Sequence, residues 1–194
     1  LAPEIRNNIY RLLLRNSLPF FIEPALQKVG TFKLYEVIDK TFHNIIATLQ
    51  ALSYVSHELR QEARIYFYSV NSFAVLCYGY EYLPVLVRWL ESLGSECRAM
   101  LKRVKLYGSM WYQPSLPLTQ RLHDLLRERS NVQHLTLQHG IRHFCESDLS
   151  GLNAYFNYTG SEPHDSPLPE VDVSLWTQTI ADMSKLQSFE LQLI

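Results

Sequence analysis

The sequence predicts a mixed α/β fold, in which a helical amino-terminal part precedes three or four strand-helix units that form a small parallel sheet. The first observation is a recurring pattern with apolar residues at its first, fourth and sixth positions. It occupies four windows, at residues 70–75, 101–106, 132–137 and 186–191. The second is that apolar residues recur at helical spacing between successive windows. Strands that alternate with helices predict parallel pairing and right-handed crossovers.

The spacing of the windows is regular. The first three begin at residues 70, 101 and 132, which is a period of 31. The fourth begins at residue 186, and the extra length falls in a breaker-rich insertion at about 141–172. The pattern resembles leucine-rich repeats, whose stacked units share an L-x-x-L-x-L consensus. An ordinary α/β layer predicts the same parallel strands, so both interpretations stay open.

The amino-terminal part predicts a helix, a hairpin and two more helices. Pro3 and Glu4 suit the first turn of a helix that we expect to end near Leu18-Pro19. Its apolar stripe consists of Ile5, Ile9, Leu12 and Leu13.

Further along, residues 20–22 and 31–38 predict two short strands joined by a turn at Gly30. Helices are expected at about 41–54 and 56–68. We divide the chain into a helical part, 1–69, and a repeat-like part, 70–194, and expect them to share one core.

Two segments of the helical part resemble a known family. Residues 1–10 read LAPEIRNNIY, and residues 55–63 read VSHELRQEA, followed by Phe67, Tyr68, Asn71 and Phe73. They are similar to the LPPEIRNxIY and VSRQIRxEA…FYxxNxF patterns of F-box-like domains in filamentous fungi. Ala2 and His57 depart from those patterns, and the segment between Asn16 and Thr48 is longer than a compact F-box has.

The resemblance implies a protein-protein interaction module with no enzymatic activity, which serves as substrate adaptor of a cullin-type ubiquitin ligase. In that family the opening helix binds a Skp-type adaptor, and a carboxy-terminal repeat half recruits a target. The implied adaptor contacts are Leu1, Pro3, Glu4, Ile5, Ile9 and Leu13. The alternative is a fungal scaffold protein that keeps the signature as a structural element, with the stripe packed into its own core.

Two further segments are candidate contact sites for a target. The aromatic segment Met110, Trp111 and Tyr112 follows the second repeat strand, and exposed aromatic residues anchor many interfaces. A basic patch, which a phosphate or an acidic partner would suit, consists of Arg98, Lys102, Arg103 and Lys105.

Enzymatic chemistry finds little support in the sequence. Neither GxxxxGK[ST] nor GxGxxG nor HExxH occurs. The group His134, His139, His143 and Cys145 lacks a second ligand pair at zinc-finger spacing, so we interpret it as loop and surface residues. We therefore expect no catalytic residues, metal, cofactor or small-molecule substrate.

Composition restricts partners and location. The net charge of −1 argues against general nucleic-acid affinity, and no apolar run reaches the ~18 residues of a membrane span. Three widely spaced cysteines favour a reducing compartment, which predicts an intracellular protein. A start at Leu1 and an end within an apolar alternation at Ile194 are typical of a piece of a longer chain.

Overall fold

A computed structural model describes residues 2–25, 30–36, 44–77, 82–107, 116–128, 130–140 and 170–193. Within these ranges the chain forms seven helices and six strands. The helices are α1 (Pro3–Leu14), α2 (Ile45–Val55), α3 (His57–Val70), α4 (Tyr82–Ser92), α5 (Gly94–Met100), α6 (Leu116–Arg127) and α7 (Ser174–Asp182). The strands are β1 (Phe20–Pro24), β2 (Phe32–Glu36), β3 (Ser72–Leu76), β4 (Arg103–Tyr107), β5 (His134–His139) and β6 (Ser188–Leu193).

The strands form a single sheet in the order β2-β1-β3-β4-β5-β6. All neighbours are parallel except the hairpin pair β1 and β2. The four windows of the repeating pattern supply β3 to β6 and lie side by side in register, with Phe73 next to Val104, then Leu135, then Phe189. The predicted mixed α/β class with a parallel sheet is confirmed.

The direction of strand addition decides which face of the sheet the helices cover. From β1 through β3, β4 and β5 to β6, each new parallel strand joins on the same side of the previous one. Right-handed crossovers then bring every connecting helix to the same face of the sheet. On that face the inward side chains of β3, β4 and β5 are buried, among them Phe73, Leu106 and Leu137, each with an exposed fraction of 0%.

The structure also differs from the prediction in several elements. The hairpin is present and adds two strands to the sheet, because β1 pairs with β3 as well as with β2. The helical spacing between the first two windows predicts one helix, but α4 is followed after Leu93 by a separate α5, whose first residue, Gly94, has a φ of 70°. Helix α1 ends at Leu14, four residues before Leu18, since the chain becomes extended at Arg15.

Helix α1 leaves most of its apolar stripe exposed, as the adaptor-contact hypothesis requires and the core-packing alternative does not. The buried side chains are Tyr10 and Leu14, and Leu13 is partly buried against the core. Ile5, Ile9 and Leu12 are exposed. The reason is that an ion pair and a phenol hydrogen bond, made by Arg6 and Tyr10, turn the polar side of α1 towards α3.

The side chain of Asn71 joins the ends of α1 and α3. It is fully buried, and its Nδ2 donates to the carbonyls of Leu14 at 2.7 Å and of Phe67 at 2.9 Å. Its Oδ1 accepts from the backbone N–H of Asn16 at 2.8 Å. The carbonyls of a helix's last turn have no partner within the helix. One amide therefore satisfies backbone groups at the ends of both helices.

We expect Asn71→Ala to lower the free energy of unfolding by about 2–4 kcal/mol, because buried backbone groups lose their partners. Urea unfolding of the purified chain measures this. The matched control is Ser69→Ala, which removes only the local bond from Ser69 Oγ to the Tyr66 carbonyl and should cost ~1 kcal/mol or less. Equal losses in the two variants would show that Asn71 has no special role.

Candidate interaction surfaces

The solvent side of α1 carries an exposed apolar stripe, which we call the outer ridge: Ile5, Ile9 and Leu12. Their exposed fractions are 50%, 37% and 70%. Positions i, i+4 and i+7 lie on one side of an α-helix, so the three side chains form a single strip. Of the other predicted adaptor contacts, Pro3 and Glu4 are exposed, Leu13 is partly buried, and Leu1 lies outside the described residues.

The other side of α1 is held on α3 by polar contacts at Glu62. Arg6 makes a two-pronged ion pair with the Glu62 carboxylate, with N–O distances of 2.9 and 3.0 Å. The Tyr10 hydroxyl donates to the same carboxylate at 3.1 Å. Burial, followed by the bond to Glu62, raises the pKa of Tyr10 above its usual value, which keeps the phenol protonated as a donor. These contacts direct the outer ridge away from α3.

The residues that carry the F-box-like resemblance largely bind one another. Arg6 and Tyr10 from the first segment contact Glu62 from the second, and Asn71 bonds the end of α1. Phe67 and Phe73 are fully buried, with ring centroids 5.5 Å apart. These residues of the signature therefore pack α1 on α3, whereas Ile5 and Ile9, from the same first segment, lie in the outer ridge on the opposite side of α1.

The second surface is the face of the sheet that no described helix covers, which we call the open face. Its side chains come from the alternate positions of β3 to β6, and most of them are polar. They are Ser72, Ala74, Leu76, Arg103, Lys105, Tyr107, His134, Thr136, Gln138, Ser188, Glu190 and Gln192. Parallel sheets usually carry helices on both faces. The one-directional strand order predicts a polar face here, and most of its side chains are at least partly exposed, whereas Ala74 and Thr136 are buried.

Pairs of polar side chains bridge β5 and β6 across the open face. His134 Nδ1 lies 2.8 Å from Ser188 Oγ, and Gln138 Nε2 donates to Gln192 Oε1 at 3.2 Å. Both pairs are directly opposite in the strand register. Cross-strand pairs of this kind stabilise a sheet and fix the orientation of its side chains.

A basic cavity of about 400 Å³ lies where the open face meets the end of α1. Three cationic side chains line it, Arg15, Arg103 and Lys105, together with His134. None of its lining residues is acidic. The full lining is Arg15, Asn16, Ser17, Pro19, Ser72, Arg103, Val104, Lys105, His134 and Thr136.

The structure separates the four residues of the predicted basic patch. Arg103 and Lys105 line the basic cavity, and Lys102 is exposed but outside its lining. Arg98 is buried, with its guanidinium bonded to the Glu128 carboxylate at 2.6 Å and to the Leu90 carbonyl. It therefore joins α4, α5 and α6 and takes no part in a surface.

The sequence reasoning missed two members of the cavity, Arg15 and His134. His134 is the register partner of Arg103, so the aligned windows already placed the two side by side. Arg15 reaches the cavity because the bond between Asn16 and Asn71 fixes the chain after α1 beside β3. That tertiary contact leaves no local pattern in the sequence.

The histidines that the sequence analysis considered as metal ligands do not form a cluster in the described part of the chain. His134 and His139 are an odd number of positions apart on β5 and so point to opposite faces; His134 is exposed and His139 is buried. His143 and Cys145 lie outside the described residues, as do Met110, Trp111 and Tyr112. No group of three metal-ligating side chains occurs in the described part of the chain.

The two described cysteines, Cys77 and Cys97, are buried. Burial raises the pKa of Cys97, which disfavours the reactive thiolate. Among the described helices, none has the length and apolarity that a membrane span requires.

One histidine is buried between α6 and α7. His123 is fully buried, its Nδ1 lies 2.7 Å from Thr179 Oγ1, and its ring packs edge-on against Trp176 at 4.4 Å. Its Nε2 has no hydrogen-bond partner among the described residues. Burial, assisted by the positive charge of Arg127, lowers the pKa of His123 to about 4. The ring is therefore neutral near pH 7.

No family model, curated protein or solved structure matches this chain. The F-box-like resemblance therefore stays a prediction, and the two surfaces are the basis for any function.

We expect His123 to make folding sensitive to acid. Because its folded pKa of about 4 lies below the usual 6.5, the unfolded state binds more protons between these values. Its contribution is present above pH 6.5 and falls by about 2 kcal/mol between pH 7 and pH 5. Urea unfolding at several pH values measures the slope.

The non-titrating variant His123→Gln should lose this part of the slope, and His57→Gln, at an exposed position on α3, should keep it. The explanation fails if wild type and His123→Gln show the same pH dependence.

Proposed function

We propose that this protein is a protein-interaction module without enzymatic activity that docks a Skp-type adaptor of a cullin-type ubiquitin ligase through the outer ridge of α1. The observation that carries the proposal is the exposure of Ile5, Ile9 and Leu12 on a helix whose other side is fixed to α3. Intracellular location is part of the same proposal.

Leaving the apolar side chains of the outer ridge in water costs free energy. Burying an aliphatic side chain gains about 1.5–3 kcal/mol relative to leaving it exposed. An amphipathic helix recovers that free energy when it lays its apolar strip into a groove on a partner. Because Arg6 and Tyr10 already fix α1 to α3, the ridge is held in place before binding, which lowers the entropy cost of docking.

Helix α2 adds apolar surface to the same helical group. It packs against both α1 and α3, and it ends in Tyr54 and Val55, which are 86% and 67% exposed. A protein that covers α1 would gain further apolar area if it extended to the end of α2.

The second candidate function is a scaffold that binds some other protein and has no ligase association. One observation favours it: the signature residues Arg6, Tyr10 and Glu62 are used for packing α1 on α3. A signature that serves packing would persist without an adaptor. The outer ridge would then contact a different partner.

We expect Ile5→Ser and Ile9→Ser each to weaken binding of a purified Skp-type adaptor by about tenfold or more, since each removes apolar contact area. Calorimetry with the wild-type chain and the variants measures the affinity. The melting temperature should change little because both side chains are exposed.

Val171→Ser is the matched control, since Val171 is 52% exposed, close to the 50% of Ile5, and lies just before α7. If an established F-box protein captures the adaptor and this chain does not, the scaffold function is favoured. If the chain binds and the ridge variants bind equally well, the ridge is not the contact site.

A further inference from the structure

We infer that the basic cavity binds one anionic side chain, bearing a phosphate or a carboxylate, of a protein segment that lies on the open face. This inference rests on the proposed function as an interaction module and concerns how such a module would bind its target. It concerns a surface distinct from the outer ridge, so the two sites can be tested separately.

The cationic side chains of the basic cavity have no nearby counter-charge. Arg15, Arg103 and Lys105 line one cavity, and none of them is within 4 Å of a carboxylate in the described part of the chain. Cations that share a cavity repel one another, and an anion placed among them removes that repulsion.

Other cations of the chain have counter-charges nearby. Arg6, Arg98, Arg121 and Arg127 each pair with an acidic side chain. The basic cavity differs from these sites because it gathers three cationic side chains in one lining that holds no acidic residue.

The basic cavity also offers hydrogen-bond donors to an anion. Arg103 donates one terminal N–H to the Val70 carbonyl at 2.6 Å, which holds the guanidinium in place. An arginine has five N–H donors in a planar fork that matches the oxygens of carboxylate and phosphate groups. Ser17 and Ser72 also line the cavity, and their hydroxyls can donate to the same anion, whereas the Thr136 hydroxyl donates to the Glu190 carboxylate.

Carboxylates on both sides of the basic cavity favour a single anionic group over a nucleic-acid strand. Glu23 on β1 and Glu190 on β6 project on the same side of the sheet as Lys105, and they lie on strands to either side of the basic centre. A continuous polyanion crossing the sheet would meet these carboxylates. The cavity, at about 400 Å³, has the size of a site for one side chain and its immediate neighbours.

The test uses the whole chain, immobilised, and three synthetic pools of short degenerate peptides with phosphoserine, glutamate or serine at a fixed central position. We expect the phosphoserine pool, the glutamate pool or both to be retained about tenfold or more above the serine pool. Inorganic phosphate should compete for the retained peptides. The ratio of the two anionic pools shows whether the anion is a phosphate or a carboxylate.

The decisive variants are Lys105→Gln and Arg15→Gln, each of which should lower retention about tenfold. The matched control is Lys102→Gln, which makes the same charge change at an exposed site outside the cavity and should leave retention unchanged. Arg103→Gln is a poorer test, since it also removes the bond to Val70. Melting temperatures confirm that each variant folds.

Several results would overturn the inference. These are equal retention of all three pools, no retention of any pool, or an equal loss in Lys102→Gln. A single-stranded DNA oligomer that binds with the same dependence on Lys105 and Arg15 would identify a nucleic-acid site instead. The variant Ile9→Ser should retain the peptides normally, so failure of the cavity is distinguishable from failure of adaptor docking at α1.

Discussion

The one-directional growth of the parallel sheet is the constraint on which the rest of the structure depends. Because each parallel strand from β1 to β6 joins on the same side, right-handed connections place the helices together on one face. That face takes up the apolar strand side chains of the first three windows and forms the core, whereas Phe189 and Leu191 of the fourth window are exposed. The other face is left to polar side chains, and the amino ends of its strands meet the end of α1 at the basic cavity.

In the helical part, α1 is fixed to α3 on one side while its other side stays apolar and exposed. Apolar packing alone would have drawn Ile5 and Ile9 inward, yet the structure buries Tyr10 and Leu14. The side chains of the ion pair between Arg6 and Glu62 are 27% and 32% exposed, so the pair mainly sets the orientation of α1, since partly exposed pairs contribute little stability. Tyr10 combines ring burial with a hydroxyl bond and makes that orientation specific.

Period and alternation predicted the α/β class, β3 to β6 and the helices between them, because these features depend on local spacing of apolar residues. Windows at residues 70, 101, 132 and 186 even fixed which residues become neighbours. The same reasoning left open whether the stripe of α1 is buried or exposed, since the choice of buried face depends on Glu62, far away in the chain. It also grouped Arg98 with Lys102 and Arg103, because nearness in sequence does not reveal that Glu128 binds Arg98 inside.

The side-chain amide of Asn71 links the position of α1 to that of the basic cavity. Its nitrogen holds the last turn of α1 at Leu14, and its oxygen holds Asn16, the neighbour of Arg15 in the cavity wall. Asn71 itself immediately precedes Ser72, which lines the same cavity. The carboxy-terminal end of α1 and the wall of the basic cavity are thus held by the same side chain. We expect a shift of α1 on α3 to move Arg15 as well, because Asn71 bonds to the residues on either side of it.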